Sequence, residues 1–266
     1  MKKKALGRIL RNEEIATDIF SVWIETEMAR DAKPGQFVGV FPKNQSTLLP
    51  RPISICEVNE DKTALRLVYR TVGSGTRELA GLKSETDIYL LGVLGNGYDV
   101  TKALGKHSVL MAGGIGIPPM VELAKAIKAS GCTSADKTTG LSIVLGYRDS
   151  DTFLVEELKK YGEVYIASED GSVGTKGNVL DVMKKHELNP DIIFSCGPMP
   201  MLRAIKRYAE EAEIEAYISL EERMACGVGA CLGCVCKTTK EDHHSHVNNT
   251  RICTDGPVFE AREVDI

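Results

Sequence analysis

Cys226, Cys231 and Cys234 stand in a C-x4-C-x2-C run, and Cys253 follows with eighteen residues between it and Cys234. No other feature constrains the chain as strongly. This is the plant-type spacing of a [2Fe–2S] centre, whose two sulfide-bridged irons need four thiolates around a compact rhomb. A tight loop must supply three of them from one side. Gly227, Gly229 and Gly233 let that loop curl closely and aim N–H groups at sulfur, which tunes the reduction potential. Zinc is the alternative, but a structural zinc ribbon normally carries two C-x2-C knuckles and only one is present. Cys236 is read as a non-ligand on the following strand, since the four-cysteine spacing is complete without it. Cys56 and Cys132 read as ordinary small residues. His243, His244 and His246 lie in a polar stretch with Glu241, Asp242, Asn248 and Asn249, read as a solvated hairpin loop rather than a metal site. The whole 221–266 stretch lacks helix-scale apolar periodicity, so a metal centre would help to organise it.

Two other patterns precede it. Up to about Asp99, short β-type runs occur at 20–24, 36–41, 53–58, 64–69 and 87–93, separated by turns such as Lys33-Pro34-Gly35-Gln36 and Gly73-Ser74-Gly75. Many short strands at this spacing predict a small barrel or sandwich. Gly95-Asn96-Gly97 then punctuates a boundary. From 101 to 220, strand patterns at 108–111, 141–145, 164–167, 192–194 and 215–219 alternate with helical ones at 118–129, 153–160, 178–185 and 200–211. Such alternation predicts a parallel sheet with helices on both faces. The expected fold is therefore multidomain α+β. It comprises an antiparallel β-barrel (1–100), an α/β parallel-sheet nucleotide-binding domain (101–220) and a small C-terminal [2Fe–2S] domain (221–266).

Composition narrows the function. Lys plus Arg is 33 and Asp plus Glu is 37, a formal net charge of −4. No positive balance exists to draw nucleic-acid phosphates. Met1-Lys2-Lys3-Lys4 resembles a signal n-region, but Arg8, Arg11, Glu13 and Glu14 interrupt any apolar continuation. The apolar run at 109–121 holds three glycines and two prolines and is too short to span a bilayer. A soluble, cytoplasmic protein is expected. In that reducing setting, clustered cysteines bind metal or do redox chemistry rather than form a disulfide framework.

Several glycine turns fit nucleotides. Residues 109–120 read VLMAGGIGIPPM, in which a strand ends, Gly113, Gly114 and Gly116 turn the chain, and a helix begins near Pro118. Glycines admit a pyrophosphate close to the backbone, and the helix start offers unpaired N–H groups. This is G-G-x-G rather than G-x-G-x-x-G, so a plain strand–helix turn stays open on the motif alone. Cys196-Gly197-Pro198-Met199 follows another apolar strand, where ligands of open α/β sheets lie, or is a simple loop into a helix. Arg51-Pro52-Ile53-Ser54 opens a strand with a phosphate-suited guanidinium and a hydroxyl, although an Arg-Pro pair is also common at strand edges. Tyr69-Arg70 and Gly73-Ser74-Gly75-Thr76 add a second cradle before a helical patch at 77–80.

The order RPIS, GSGT, GGIGIPPM, CGPMP resembles the ferredoxin reductase-like flavoprotein superfamily over 1 to about 220. With EERMACGVGACLGC and CTDGPVF added, the whole chain resembles the electron transfer subunits of dihydroorotate dehydrogenase B. The resemblance implies FAD against Arg51, Pro52, Ile53, Ser54, Val68, Tyr69, Arg70, Gly75 and Thr76. It implies NAD at Gly113, Gly114, Gly116, Cys196, Gly197, Pro198 and Met199, and the cluster on Cys226, Cys231, Cys234 and Cys253. The implied partner is a separate FMN-containing catalytic subunit, in a two-plus-two heterotetramer of pyrimidine biosynthesis. Electrons would pass from that subunit through [2Fe–2S] and FAD to NAD+, and no general acid or base is assigned. Related subunits serve sulfide dehydrogenases, sulfite reductases, hydrogenases and ferredoxin:NADP oxidoreductases; four cysteines favour the pyrimidine enzyme over relatives with a carboxylate ligand. NAD rather than NADP rests mainly on the resemblance, because Arg148, Asp149 and Asp151 after the second α/β strand are mixed in sign. The histidine-bearing stretch before Cys253 departs from the pattern.

Overall fold

The computed structural model describes residues 3–44, 48–131, 140–241 and 246–266. Strands β1 (Lys3–Ala16), β2 (Ile19–Glu25), β3 (Phe37–Phe41), β4 (Arg51–Val58), β5 (Ala64–Arg70) and β6 (Asp87–Leu94) close into a barrel in the order β1-β2-β5-β4-β3-β6. Every neighbouring pair is antiparallel. Alternation sets the faces: β6 buries Ile88 and Leu90 and turns Asp87 and Tyr89 outward. Ile9, Val22, Val38, Leu67 and Leu90 fill the interior. Helix α1 (Ser74–Ala80) bridges β5 and β6. Its end is tied to β1 by Asn12, whose Nδ2 donates to the carbonyls of Leu79 (2.8 Å), Ala80 (3.2 Å) and Leu82 (2.9 Å).

The first strand was not anticipated. Ile9 points inward, but Leu6 and Leu10 face solvent and Gly7 occupies the inward position before Ile9. A Cβ on Gly7 would lie 2.7 Å from the Ile24 side chain, so the barrel has room for hydrogen alone there. The strand consequently lacks the inward apolar alternation from which strands are read.

The second sheet has the order β10-β9-β8-β7-β11-β12-β15, built from β7 (Ser108–Gly113), β8 (Leu141–Tyr147), β9 (Glu163–Ser168), β10 (Thr175–Lys176), β11 (Ile192–Cys196), β12 (Glu215–Ser219) and β15 (Val258–Glu260). All pairs are parallel except β12 with β15. Leu110 and Ala112 of β7 pack on one face, under Leu123 and Ile127 of α2 (Pro119–Ala129) and Leu158 of α3 (Val155–Leu158). Val109 and Met111 pack on the other, under Val182 of α4 (Val179–Lys185) and Ile205 of α5 (Met199–Glu211). Helices thus cover both faces, as the alternating pattern predicts. The helix expected at 153–160 is shorter, because Leu154 adopts a left-handed φ of 62° immediately before it.

The cysteine-rich region contributes β15 to that sheet and a small antiparallel hairpin, β13 (Val235–Lys237) with β14 (Asn249–Arg251). Of the expected histidine loop between these two strands, only 238–241 and 246–248 are among the described residues. His243 and His244 lie outside the described residues, as does Cys132; His246 is exposed with Nδ1 3.2 Å from Glu241 Oε1. No helix among the described residues is long and apolar enough to cross a membrane.

Candidate cofactor sites

Arg51 and Gly75 meet on the barrel. A Cβ on Gly75 would fall 2.6 Å from Arg51 Nε and 3.0 Å from Nη2. The guanidinium therefore lies over the first turn of α1, with Nη1 donating to Leu49 O at 2.7 Å. Thr76 spends its hydroxyl on the same turn: Oγ1 accepts from Val72 N (3.0 Å) and Gly73 N (3.2 Å). What this turn offers an anion is the cation of Arg51 together with first-turn backbone N–H groups, which lack intrahelical acceptors. A cradle that one methyl would fill suits a pyrophosphate.

The other barrel residues divide by burial. Ser54 is half-buried on β4 beside Phe37 of β3, Pro52 faces outward beside Gly39, and Ile53 is buried. On β5, Val68 packs towards the α/β domain and Tyr69 into the barrel, while Arg70 is exposed. Tyr69 stacks on Phe20 with centroids 6.2 Å apart, and burial raises its phenol pKa. It presents its main chain, not its ring, to any ligand outside the barrel.

The two glycine loops of the α/β domain also converge. β7 and β11 are parallel neighbours, with Ala112 opposite Cys196. The chain order reverses between them, with β8 to β10 on one side and β12 on the other. A Cβ on Gly116 would collide with the Cys196 carbonyl, and one on Gly113 would lie 2.8 Å from Met201 Sδ and 3.3 Å from Pro198 Cδ. Gly114 takes φ 54° beside open space, a conformation that favours glycine. Both strand ends lead into helices, α2 and α5, so two positive dipole ends address the crevice at the reversal point. Burial pushes the Cys196 thiol up to about 12, although the Ser219 hydroxyl beside it works the other way.

The four cysteines of the motif form two pairs. Cys226 Sγ accepts from Val228 N and Cys231 N, each at 3.4 Å, and Cys231 Sγ from Gly233 N at 3.4 Å. Burial raises the Cys226 thiol, but the N–H groups of Val228, Cys231 and Ala230 outweigh it and bring the pKa down to about 6. Cys253 stands against Cys234; burial first and that neighbour second push it up to about 11, while the Gly229 N–H works the other way. Among the described residues no three His, Cys, Asp or Glu side chains are grouped to hold one metal ion. Cys226 with Cys231, and Cys234 with Cys253, instead match a binuclear centre in which each iron takes two thiolates. Cys236 sits on β13 opposite Thr250, and the seven described cysteines are free thiols.

The turn carrying Cys253 joins all three regions. Asp255 Oδ2 closes it by accepting from Arg251 N (3.0 Å) and Nε (3.1 Å). Asn96 N donates to Gly256 O at 2.5 Å, Asn96 Nδ2 to Asp255 O at 3.0 Å, and Leu220 N to Pro257 O at 2.9 Å. Gly95, at φ 74°, leaves room for Pro257, and Gln36 Nε2 donates to Gly95 O at 2.8 Å. Tyr98 adds a second tie, donating from its hydroxyl to Ser195 O at 2.8 Å and from its N to Pro34 O at 2.8 Å. Neither Tyr98 nor Asp255 was singled out from sequence. The Thr254-Asp255-Gly256-Pro257 turn chemistry was the available signal for the latter.

Comparison with known proteins agrees with this architecture. The family described as the iron-sulfur cluster binding domain of dihydroorotate dehydrogenase B matches residues 221–265, and the oxidoreductase NAD-binding domain matches 110–207. The electron transfer subunit of dihydroorotate dehydrogenase B (NAD(+)) from Fusobacterium nucleatum is 41% identical, covering 96% of each chain. That of Bacillus velezensis is 41% identical over 98% of this chain and 99% of its own. A solved structure of an NADH-dependent reduced ferredoxin-NADP oxidoreductase is 29% identical, covering 98% of this chain and 90% of its own with a TM-score of 0.84. The chain belongs to the family of dihydroorotate dehydrogenase B (NAD(+)) electron transfer subunits.

Proposed function

We propose that this chain is the electron transfer subunit of a cytoplasmic, NAD-dependent dihydroorotate dehydrogenase in pyrimidine biosynthesis. Its partner is an FMN-containing catalytic subunit that oxidises dihydroorotate, in a two-plus-two heterotetramer. The observation that carries the reading is the Cys253 turn, which ties the cysteine pairs to the end of the barrel at Asn96 and to the α/β sheet at Leu220. That turn holds the cysteine pairs against both other units of the chain.

When bound, a [2Fe–2S] centre exchanges single electrons, FAD exchanges one or two, and NAD takes a hydride. The chain's residues then place and tune. Arg51, with the turn at Gly75 and Thr76, holds the FAD pyrophosphate. Pro52, Ile53, Ser54, Val68, Tyr69 and Arg70 would line the flavin along β4 and β5, with Ser54 near the ring. Gly113, Gly114 and Gly116 face Cys196, Gly197, Pro198 and Met199 across the crevice that receives NAD. Cys226, Cys231, Cys234 and Cys253 ligate the cluster. The division at 1–100, 101–220 and 221–266 assigns one cofactor to each unit.

The test is anaerobic purification of the chain with and without the catalytic subunit, followed by addition of dihydroorotate and NAD+. Flavin, about two irons per chain, and NADH formed only by the joint sample are expected. The same cofactors without dihydroorotate-dependent NADH would overturn the partner assignment.

A further inference from the structure

The outer wall of the barrel carries an apolar face that continues into the cluster loop. Leu6 of β1, Tyr89 of β6 and Phe41 of β3 are cross-strand neighbours in one row. Leu6 and Tyr89 each remain 51% exposed. Lys4, from the adjoining row, holds its ammonium 4.2 Å from the Phe41 ring centre and 4.6 Å from that of Tyr89. Lys4 pairs with Leu91, two residues along β6 from Tyr89. A Cβ on Gly227 would lie 3.7 Å from Leu91 Cδ2 and 3.1 Å from Leu94 Cδ1, so the cluster loop rests on that strand. The loop turns Val228 (41% exposed) and Leu232 (63%) outward beside the exposed Cys231.

We propose that Leu6, Phe41, Tyr89 and Lys4, together with Val228 and Leu232, form the surface on which the FMN-containing catalytic subunit docks. The inference rests on the function proposed above and adds the barrel wall to it. Three observations favour this occupant. The face is continuous with the loop through which electrons must enter, and two residues along a strand span only about 7 Å. Loop and wall share one strand, since Gly227 rests against Leu91 and Leu94 of β6, the strand that carries Tyr89. The charges around the wall are already paired within the chain: Lys3 with Glu27 at 2.5 Å, and Arg8 with Glu85 at 3.5 Å and Asp87 at 3.7 Å. What remains is an exposed aromatic ring gripped by a cation, rimmed by satisfied charges, which is the make-up of an interface anchor.

The experiment titrates the purified catalytic subunit into the cofactor-loaded chain by calorimetry. It compares wild type, Leu6→Glu/Tyr89→Glu, Tyr89→Ala and Leu104→Glu, the last an exposed leucine elsewhere (52% exposed). The double variant is expected to weaken Kd at least tenfold and Tyr89→Ala about fivefold, with Leu104→Glu unchanged. Flavin and cluster absorbance and NADH:ferricyanide activity of each isolated variant should equal wild type. If the double variant loses its cofactors, Tyr89→Ala decides alone. Equal Kd for wild type and the wall variants overturns the proposal. So does self-association of the isolated chain that the wall variants abolish while binding of the catalytic subunit persists, which would assign the face to a second copy. No binding by wild type would instead refute the partner itself.

Discussion

The guanidinium of Arg51 lies against the Cα of Gly75, although twenty-three residues separate them, and a methyl at Gly75 would approach Nε to 2.6 Å. Gly73, two positions earlier, has nothing within 4 Å of where a Cβ would stand. Neither glycine takes a left-handed φ, so alanine is tolerated by the backbone at both. Gly75→Ala must therefore move the arginine, and Gly73→Ala need not. Gly75→Ala is expected to weaken FAD retention at least tenfold, the loss of a charge-assisted contact, with Gly73→Ala near wild type. Equilibrium dialysis against FAD checks this; equal retention by the two variants would remove Arg51 from the site.

The crevice of the α/β domain permits a comparable contrast. A methyl on Gly116 runs into the Cys196 carbonyl and forces the two loops apart, whereas Gly114 faces open space and constrains only its own φ of 54°. Gly116→Ala should raise KM for NAD+ at least tenfold with kcat less affected. Gly114→Ala should chiefly cost stability, about 1 kcal/mol from backbone strain. Steady-state kinetics with NAD+ and a thermal melt of each variant separate the two.

Much of this was legible in the residues. The β-type run at 64–69 and the buried-type run at 108–111 were readable as strands, and both are buried at every position. The C-x4-C-x2-C run with Cys253 marked the four thiols, and its glycines let N–H groups reach sulfur, as Gly233 does at Cys231. What was hidden depended on contacts distant in sequence. β1 is held by a glycine facing Ile24, and its leucines serve the surface. β15 is a strand only because β12 offers it an edge. The Arg51–Gly75 contact needs the barrel closed before the two residues meet.

The cysteine pairing gives a third prediction. Cys231 stands beside Cys226 and receives the Gly233 N–H, whereas Cys236 is on β13 within the hairpin. Cys231→Ala is expected to lose the cluster's visible absorbance and its iron while retaining FAD. Cys236→Ser should keep both irons. Iron analysis alongside flavin absorbance decides, and loss of FAD together with the cluster in Cys231→Ala would show that the units do not fold independently.

Cys196 supplies a pH prediction. Burial pushes its thiol up to about 12, well above an ordinary thiol, so it stays protonated below that pH, and reactivity requires the thiolate. At pH 9 roughly three-quarters of an ordinary thiol would be ionised against roughly 0.1% of this one. Alkylation of Cys196 by iodoacetamide should be on the order of a hundredfold or more slower than that of an unhindered thiol at pH 9, and should not rise to a plateau between pH 7 and 10. Mass spectrometry of the Cys196 peptide over time measures this, and a plateau near pH 8 would mean the thiol is a reactive group in the crevice.

Arg66 joins the barrel to the α/β domain. Its buried guanidinium donates from Nε to Ser21 Oγ at 2.9 Å and grips Glu157 of α3 with Nη1 at 2.5 Å and Nη2 at 3.1 Å. Glu57 lies 3.5 Å away, and Lys125 of α2 reaches the same strand, donating to Val58 O at 2.6 Å. Replacing one partner of a buried pair leaves the others uncompensated and costs about 3–5 kcal/mol. Glu157 keeps 34% of its side chain in water, so Arg66→Met should fall near the low end, about 3 kcal/mol. That corresponds to a melting temperature lower by about 6–12 °C. Arg66→Lys keeps the charge without the two-pronged grip and should recover only part of it. Because the pair fixes the barrel against the sheet, Arg66→Met should also slow hydride transfer from NADH to FAD in stopped flow, with FAD and iron contents unchanged. A full-rate Arg66→Met with a lowered melting temperature would confine the pair to stability.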